Sequence, residues 1–245
     1  MIRIIILAYN EAANIEDCLI QATKVLGNQP HRFYVVNDGS VDETLSILNR
    51  RVKDFPLTLI NHQVNQGVAA ALRSGIIQVV KQGRANDVVV VMEGDGTSDV
   101  KLLRPMIAQV NQGQDIVIAS RYQPGGAYCN FSLKRRFFSR SANFIFNWIF
   151  PCPQVRDYTI FYRAYRLGLL KKACQVYQNR LINSEHFVAN TELLVKLMRL
   201  TQKIKELPFT YDYGYKKSPS SLNIPRNLWQ YLKFIVLRPG LRVDF

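Results

Sequence analysis

Residues 87–95 read DVVVVMEGD. Four consecutive valines and a methionine, with no polar break, fit a strand covered on both faces, because a strand with one wet face alternates polar and apolar residues. The run stops at Glu93–Gly94–Asp95, which sets two carboxylates one residue apart at the end of the strand. Such a pair leaving an apolar core repels itself unless a cation or a donor lies between its members. A hard divalent ion carrying a diphosphate would suit it, keeping part of its coordination for phosphate oxygens and water. A solvated EGDG turn is the simpler structural account of the same residues.

Upstream of this strand, IRIIIL (2–7), RFYVVN (32–37) and LTLINH (57–62) read as three more, separated by helical patterns at 12–26, from 44 toward 51, and at 67–82. Downstream, a helix at 100–112 precedes DIVIAS at 115–120. Strands alternating with helices over short connections predict an α/β layered fold with a mainly parallel sheet. In such sheets ligands bind beyond the carboxyl ends of the strands. Polar residues gather there: Tyr9, Asn10 and Glu11, then Asn37 and Asp38, then Glu93 and Asp95, then Ser120 and Arg121. Helix capping accounts for Asn37 and Asp38, but not for two carboxylates one residue apart.

After Arg121 the rhythm changes. QPGGAYCN (123–130) reads as a loop, and 134–150 as a basic, then strongly apolar helix stopped by the prolines of PCP at 151–153. Helices near 166–178 and 188–200 precede a strand at 203–211; SPSSLNIPRN (218–227) reads as a loop, and the stretch from Asn227 to Arg242 as amphipathic and basic. The charge divides at the same place. Of 32 Lys+Arg and 18 Asp+Glu, residues 1–126 hold 12 of each. Residues 127–195 and 196–245 each hold 10 basic residues against three acidic, so the whole net charge of +14 lies in the second half. A neutral half carrying a diphosphate-type site and a basic half facing an anion are expected, 1–126 and 127–245, within one domain. The four cysteines show neither a CxxC pair nor zinc spacing, which points to reduced thiols. The opening apolar run is too short for a signal segment, and no stretch reaches about 18 apolar residues, so any membrane role is expected to be peripheral, on the cytoplasmic face. His31, His62 and His186 suggest neither a triad nor a metal cluster, only solvated or capping roles.

Several segments in order resemble glycosyltransferases of the GT-A fold, family 2, and in particular the polyprenyl-phosphate group typified by dolichol-phosphate mannosyltransferase. LAYNEAANI (7–15) resembles that group's P-x-Y-N-E opening with Ala8 in place of Pro, and VVNDGSVDET (35–44) resembles V-V-D-D-G-S-x-D-x-T with Asn37 in place of Asp. NQGVAAALRSGI (65–76), VVVMEGDGTSD (89–99) and SRY (120–122) match further motifs. RRFFS (135–139), DYTIFYRAYR (157–166), NTELLVKLMRL (190–200) with IKELPF (204–209), and YKKSPSSL (215–222) extend the similarity to about residue 222. Glu93 stands for Asp, Thr97 for a common Gln, Phe161 for Gly, Tyr215 for Arg and Ser218 for Gly.

The resemblance implies inverting transfer of a sugar, mannose or glucose, from a GDP- or UDP-linked donor to a polyprenyl or dolichyl phosphate. Asp95 with Glu93 would hold Mg2+ or Mn2+. Ala8, Tyr9, Glu11, Asn37, Asp38, Gly67 and Gly94 would bind the nucleotide sugar. Arg121, Arg135, Ser139, Lys216 and Lys217 would receive the acceptor phosphate, and Asp157 would lie near sugar or acceptor, which makes Asp95, Arg121 and Asp157 the expected catalytic set. A phosphate acceptor is already ionised and needs no strong base, so catalysis reduces to positioning and charge stabilisation. The segment 134–150 with Trp148, and 226–243 with Trp229, would meet a membrane surface; a membrane-anchored partner subunit is compatible with this. Three rival readings are a family 2 enzyme with a glycan or small-molecule hydroxyl acceptor, whose base would be sought at Asp157 or Glu192; an inactive homologue acting as a partner protein; and a nucleic-acid-binding module, which lacks any RNA-binding signature here.

Overall fold

Strand and helix alternate from the start of the chain in the computed structural model, which describes residues 1–217 and 224–237. The first half contributes β1 (Ile2–Ala8), α1 (Ile15–Leu26), β2 (His31–Asp38), α2 (Thr44–Arg51), β3 (Leu57–His62), α3 (Val68–Gln82), β4 (Val88–Glu93), α4 (Leu103–Asn111) and β5 (Ile116–Ser120). The second contributes β6 (Ala127–Cys129), α5 (Leu133–Ile149), β7 (Arg163–Arg166), α6 (Leu167–Tyr177), α7 (Val188–Met198), β8 (Ile204–Pro208), β9 (Thr210–Asp212) and α8 (Ile224–Leu237). Seven strands form one sheet in the order β3-β2-β1-β4-β7-β5-β8. All of its pairings are parallel except those of β7, which runs antiparallel to both β4 and β5. The valines of β4 and every residue of β1 are buried, as continuous apolar runs in a doubly covered sheet require. Register sets Leu7 beside Glu93 and Ala8 beside Asn37, so the ends of β1, β2 and β4 form a single rim.

Five segments depart from the sequence expectation. The helix expected at 100–112 opens instead as a 3₁₀ turn, Val100–Leu102, capped by Asp99, before α4. QPGGAYCN is not all loop: Ala127–Cys129 pairs with Thr210–Asp212 in a separate two-stranded sheet. The strand expected at 203–211 therefore divides at Phe209, where the chain leaves the main sheet for the small one. DYTIFYRAYR, assigned no strand from sequence, supplies β7. It opens on Arg163, fully buried, whose guanidinium donates to Asn190 O (2.8 Å), Asn190 Oδ1 (3.0 Å) and Tyr158 O (2.7 Å); arginines at both ends of so short a strand conceal its apolar pattern. Part of the expected 218–227 loop is helix, since α8 begins at Ile224. Residues 218–223 and 238–245 lie outside the described residues.

A close approach beside the rim depends on Gly39. Its φ is +66°, and a Cβ there would lie 2.2 Å from the Val64 carbonyl carbon. That proximity lets Asp38 reach the 65–67 turn. Gly39→Ala adds a left-handed penalty to a clash with backbone that has no rotamer to yield. It is expected to cost about 2–3 kcal/mol, read as a lowered urea midpoint at unchanged m-value.

α5 and α8 pack against each other on one side of the sheet. Phe146 is buried, with its ring centroid 5.2 Å from that of Tyr231 and 6.2 Å from that of Phe234. The aromatic run of α5 is thus divided: Phe146 faces the core, while Phe137, Phe144 and Trp148 are at least 69% exposed. On α8, Trp229 and Val236 are exposed in the same way. No helix of the described residues is long and apolar enough to cross a membrane.

Candidate active site

The end of β2 is tied to its neighbours by side chains that sequence reading assigned to a ligand. Asn37 accepts from Ser40 Oγ (2.5 Å) and donates to Asn61 Oδ1 (2.7 Å). Asp38 accepts from the backbone N–H of Gln66 (3.0 Å) and of Gly67 (2.8 Å). It also contacts His62 Nδ1 at 2.7 Å, and His62 Nε2 meets Ser74 Oγ at 2.9 Å. His62 is therefore neither solvated nor a cap; it is the middle of an Asp38–His62–Ser74 chain that braces the rim. Spacing alone could not have found it, because the three residues lie on different elements. Gly67, at φ +87°, opens α3. Ala8 is buried, whereas Tyr9 stands at the surface. Asn10, at φ +56°, joins the loops by accepting from Val41 N (2.9 Å).

The carboxylate pair lies at the centre of the rim. Gly94 N–H donates to Leu7 O at 2.9 Å, turning the chain back toward β1. Asp95 Oδ1 accepts from Thr97 N (3.0 Å) and Thr97 Oγ1 (2.6 Å), and Oδ2 accepts from Lys216 Nζ at 2.6 Å. Lys216 Nζ is also 3.7 Å from Glu11 Oε1. Burial, then the neighbouring Asp95 charge, pushes the Glu93 carboxyl up to about 8. Burial opposes the charge on Lys216, but Asp95 outweighs it and the amine is held above its ordinary value. No group of three or more metal-type ligands is assembled among the described residues. Glu93 and Asp95 nonetheless suit a hard divalent ion. They are hard oxygen donors lining one cavity, and an added cation would offset both their burial and their mutual repulsion.

Arg121 and Asp157 are brought together as partners of each other. Asp157, fully buried, accepts from Arg121 N (3.1 Å), Nε (2.7 Å) and Nη2 (2.7 Å). Burial would raise this carboxyl, but the Arg121 charge and hydrogen bonds prevail and hold it below the usual range. The guanidinium lies between 5.2 and 5.8 Å from the ring centres of Tyr122, Tyr128 and Tyr211. Ser139 accepts from Tyr122 Oη (2.9 Å) and contacts Tyr128 Oη (2.8 Å), and Arg135 lies 4.9 Å above the Tyr213 ring. One cavity, with roughly 230 Å³ of interior space, touches Glu93, Asp95, Arg121, Arg135, Ser139 and Lys216, then runs between Phe138, Phe146, Phe161 and Leu232. Lys217 is not among its lining residues; it is exposed and reaches Ala13 O (3.4 Å) and Asp17 (3.8 Å). Glu192 is fully buried against Lys196 at 2.5 Å, so it is unavailable as a base.

The sequence profile of glycosyl transferase family 2 matches residues 3–174. The chain belongs to glycosyl transferase family 2. Within that family the chain is 25% identical over 234 residues to the dolichol-phosphate mannosyltransferase of Pyrococcus furiosus, a match covering 96% of this chain. It spans only 62% of that relative's length. It is 27% identical over 223 residues to the polyprenol monophosphomannose synthase of Mycolicibacterium smegmatis, covering 89% of this chain and 81% of the relative. Among solved structures, glucosyl-3-phosphoglycerate synthase from Mycobacterium tuberculosis, in complex with Mn2+, uridine diphosphate and glucosyl-3-phosphoglycerate, matches with a TM-score of 0.67. That match covers all of this chain and 81% of the other at 15% identity, and so shows the shared fold.

Proposed function

We propose that this transferase moves a hexosyl group, mannose or glucose, from a GDP- or UDP-linked sugar to a polyprenyl phosphate, with inversion at the anomeric carbon. One observation carries the reading: a single cavity joins the Glu93/Asp95 carboxylates to Arg121, Arg135 and Lys216 and then continues between aromatic and aliphatic side chains. A nucleotide sugar needs the first part, a phosphate head the second, and an isoprenoid tail the third. The names of the Pyrococcus and Mycolicibacterium relatives support the same acceptor class, and the Mn2+ and uridine diphosphate in the mycobacterial structure support a divalent ion with a nucleotide.

Asp95 and Glu93 would hold Mg2+ or Mn2+, which when bound supplies positive charge for the departing diphosphate. Tyr9 and Glu11 would contact the nucleoside, in a pocket walled by Ala8 and Gly94 and kept in shape by Asn37, Asp38 and Gly67. Arg135 and Ser139 would seat the acceptor phosphate. Arg121 would turn its Nη1 edge toward that phosphate while Asp157 and the tyrosine rings keep the guanidinium from swinging. The exposed aromatic residues of α5 beside Lys134, Arg136 and Arg140 fit a peripheral helix at the cytoplasmic face of a membrane.

Incubation of the purified chain with Mn2+, a short polyprenyl phosphate and a panel of UDP- and GDP-sugars tests the proposal. One donor is expected to yield a glycosyl phospholipid by mass. Donor hydrolysis without lipid product would transfer the reading to a hydroxyl acceptor, and no binding of any donor would favour the inactive homologue.

A further inference from the structure

The ammonium of Lys216 holds the Asp95 carboxylate oxygen that Thr97 leaves unused. Thr97 already takes Asp95 Oδ1 through its N–H and its hydroxyl, which leaves Oδ2 as the outward oxygen, and Lys216 Nζ holds that oxygen at 2.6 Å. Glu11 faces the same ammonium at 3.7 Å. Arg121, which lines the same cavity, has its Nε and Nη2 on Asp157 rather than on Asp95. Two positive centres cannot share one carboxylate oxygen at contact distance without strong repulsion.

The segment carrying Lys216 is tied at its start to the small sheet. Asp212 closes β9 and accepts from Gly214 N (2.8 Å) and from Asn130 Nδ2 (2.8 Å). From there the segment crosses the EGDG turn. The Tyr215 carbonyl oxygen lies 3.3 Å from where a Cβ of Gly96 would be, and Gly96 has φ +81°. Tyr213 in this segment lies under Arg135 of α5, so the same segment touches the acceptor side.

We infer that Lys216 is a tethered cation that holds the place of the divalent ion on Asp95, and that ion entry expels it toward the acceptor phosphate in the same cavity. Loading the donor side thereby arms the acceptor side, since the freed ammonium gains a phosphate as its next partner only after the ion is seated. This rests on the reading of Asp95 as the ion's ligand.

The test uses the full chain with Mn2+ alone, without nucleotide or lipid. Lysines are pulse-acylated with an activated ester, and Lys216 is quantified by mass spectrometry with and without Mn2+. Its acylation is expected to rise by about tenfold when Mn2+ saturates, coupling of an ordinary size between two sites. Electron paramagnetic resonance then measures Mn2+ affinity. Lys216→Met is expected to tighten it by on the order of tenfold, and Lys216→Arg to leave it near the original value. If Mn2+ binds, is lost in Asp95→Asn, and yet leaves Lys216 acylation and the Lys216→Met affinity unchanged, the exchange is overturned while the metal reading stands. If neither the parent chain nor Lys216→Met binds Mn2+ at millimolar concentration, both are overturned.

Discussion

Asp157→Asn is expected to destabilise the transferase by about 3–5 kcal/mol, the usual consequence of stripping one partner from a buried ion pair. The carboxylate is wholly inaccessible and accepts three hydrogen bonds from Arg121, with further N–H donors from Thr159 and Ile160 at 3.2 Å each. An amide of the same shape can accept only on one side and turns an N–H₂ group toward a guanidinium. Arg121, packed against three tyrosine rings and buried but for one edge on the cavity, would lose its only close counter-charge. For a chain of this length the loss corresponds to a fall in Tm of roughly 10 °C. Because the folded carboxyl is held below its unfolded value of 3.8, its contribution is present above that pH and disappears as acid protonates the folded group. The double variant Asp157→Asn/Arg121→Gln should regain part of the stability, since it removes the stranded charge. A single variant within about 1 kcal/mol of the parent, against the 3–5 expected, would mean that the pair carries little.

Asp95→Asn is expected to act on turnover instead. The amide oxygen can still accept from Thr97, so the turn survives, but the charge facing Lys216 and the divalent ion is gone. Removing a group that stabilises developing charge in a closed site commonly lowers turnover by on the order of a thousandfold, and at least that is expected here for glycosyl phospholipid formation at saturating donor. Unfolding should shift far less than in Asp157→Asn. Retention of even a tenth of the activity would remove Asp95 from the ion's ligands.

Much of the architecture was legible because buried parallel strands announce themselves. IRIIIL and VVVVM are continuous apolar runs, and the polar residues following them could only lie on one rim. Non-local geometry was hidden. Nothing in AYC or TYD indicates that they pair across more than eighty residues, and that pairing is what delivers Lys216 to Asp95. The resemblance marked Lys216 for an acceptor phosphate, and gave no sign that it partners a carboxylate 121 positions away. Likewise the resemblance marked Arg121 and Asp157 as site residues, while only the fold reveals them as one unit. His62 was opaque for the same reason: its partners come from β2 and α3. The aromatic residues of α5 carried both core and surface meanings in sequence, and packing against α8 separates Phe146 from Phe144 and Trp148.

The reversed strand between β4 and β5 bears on how the chain is made. β4 and β5 are finished by residue 120, yet the strand that joins them, Arg163–Arg166, emerges from the ribosome only later. Until then the valine edge of β4 is an unpaired template of the kind that invites association with other chains. The half that reads from sequence as a self-sufficient α/β module is therefore incomplete during synthesis, and its closure waits on a segment from the second half.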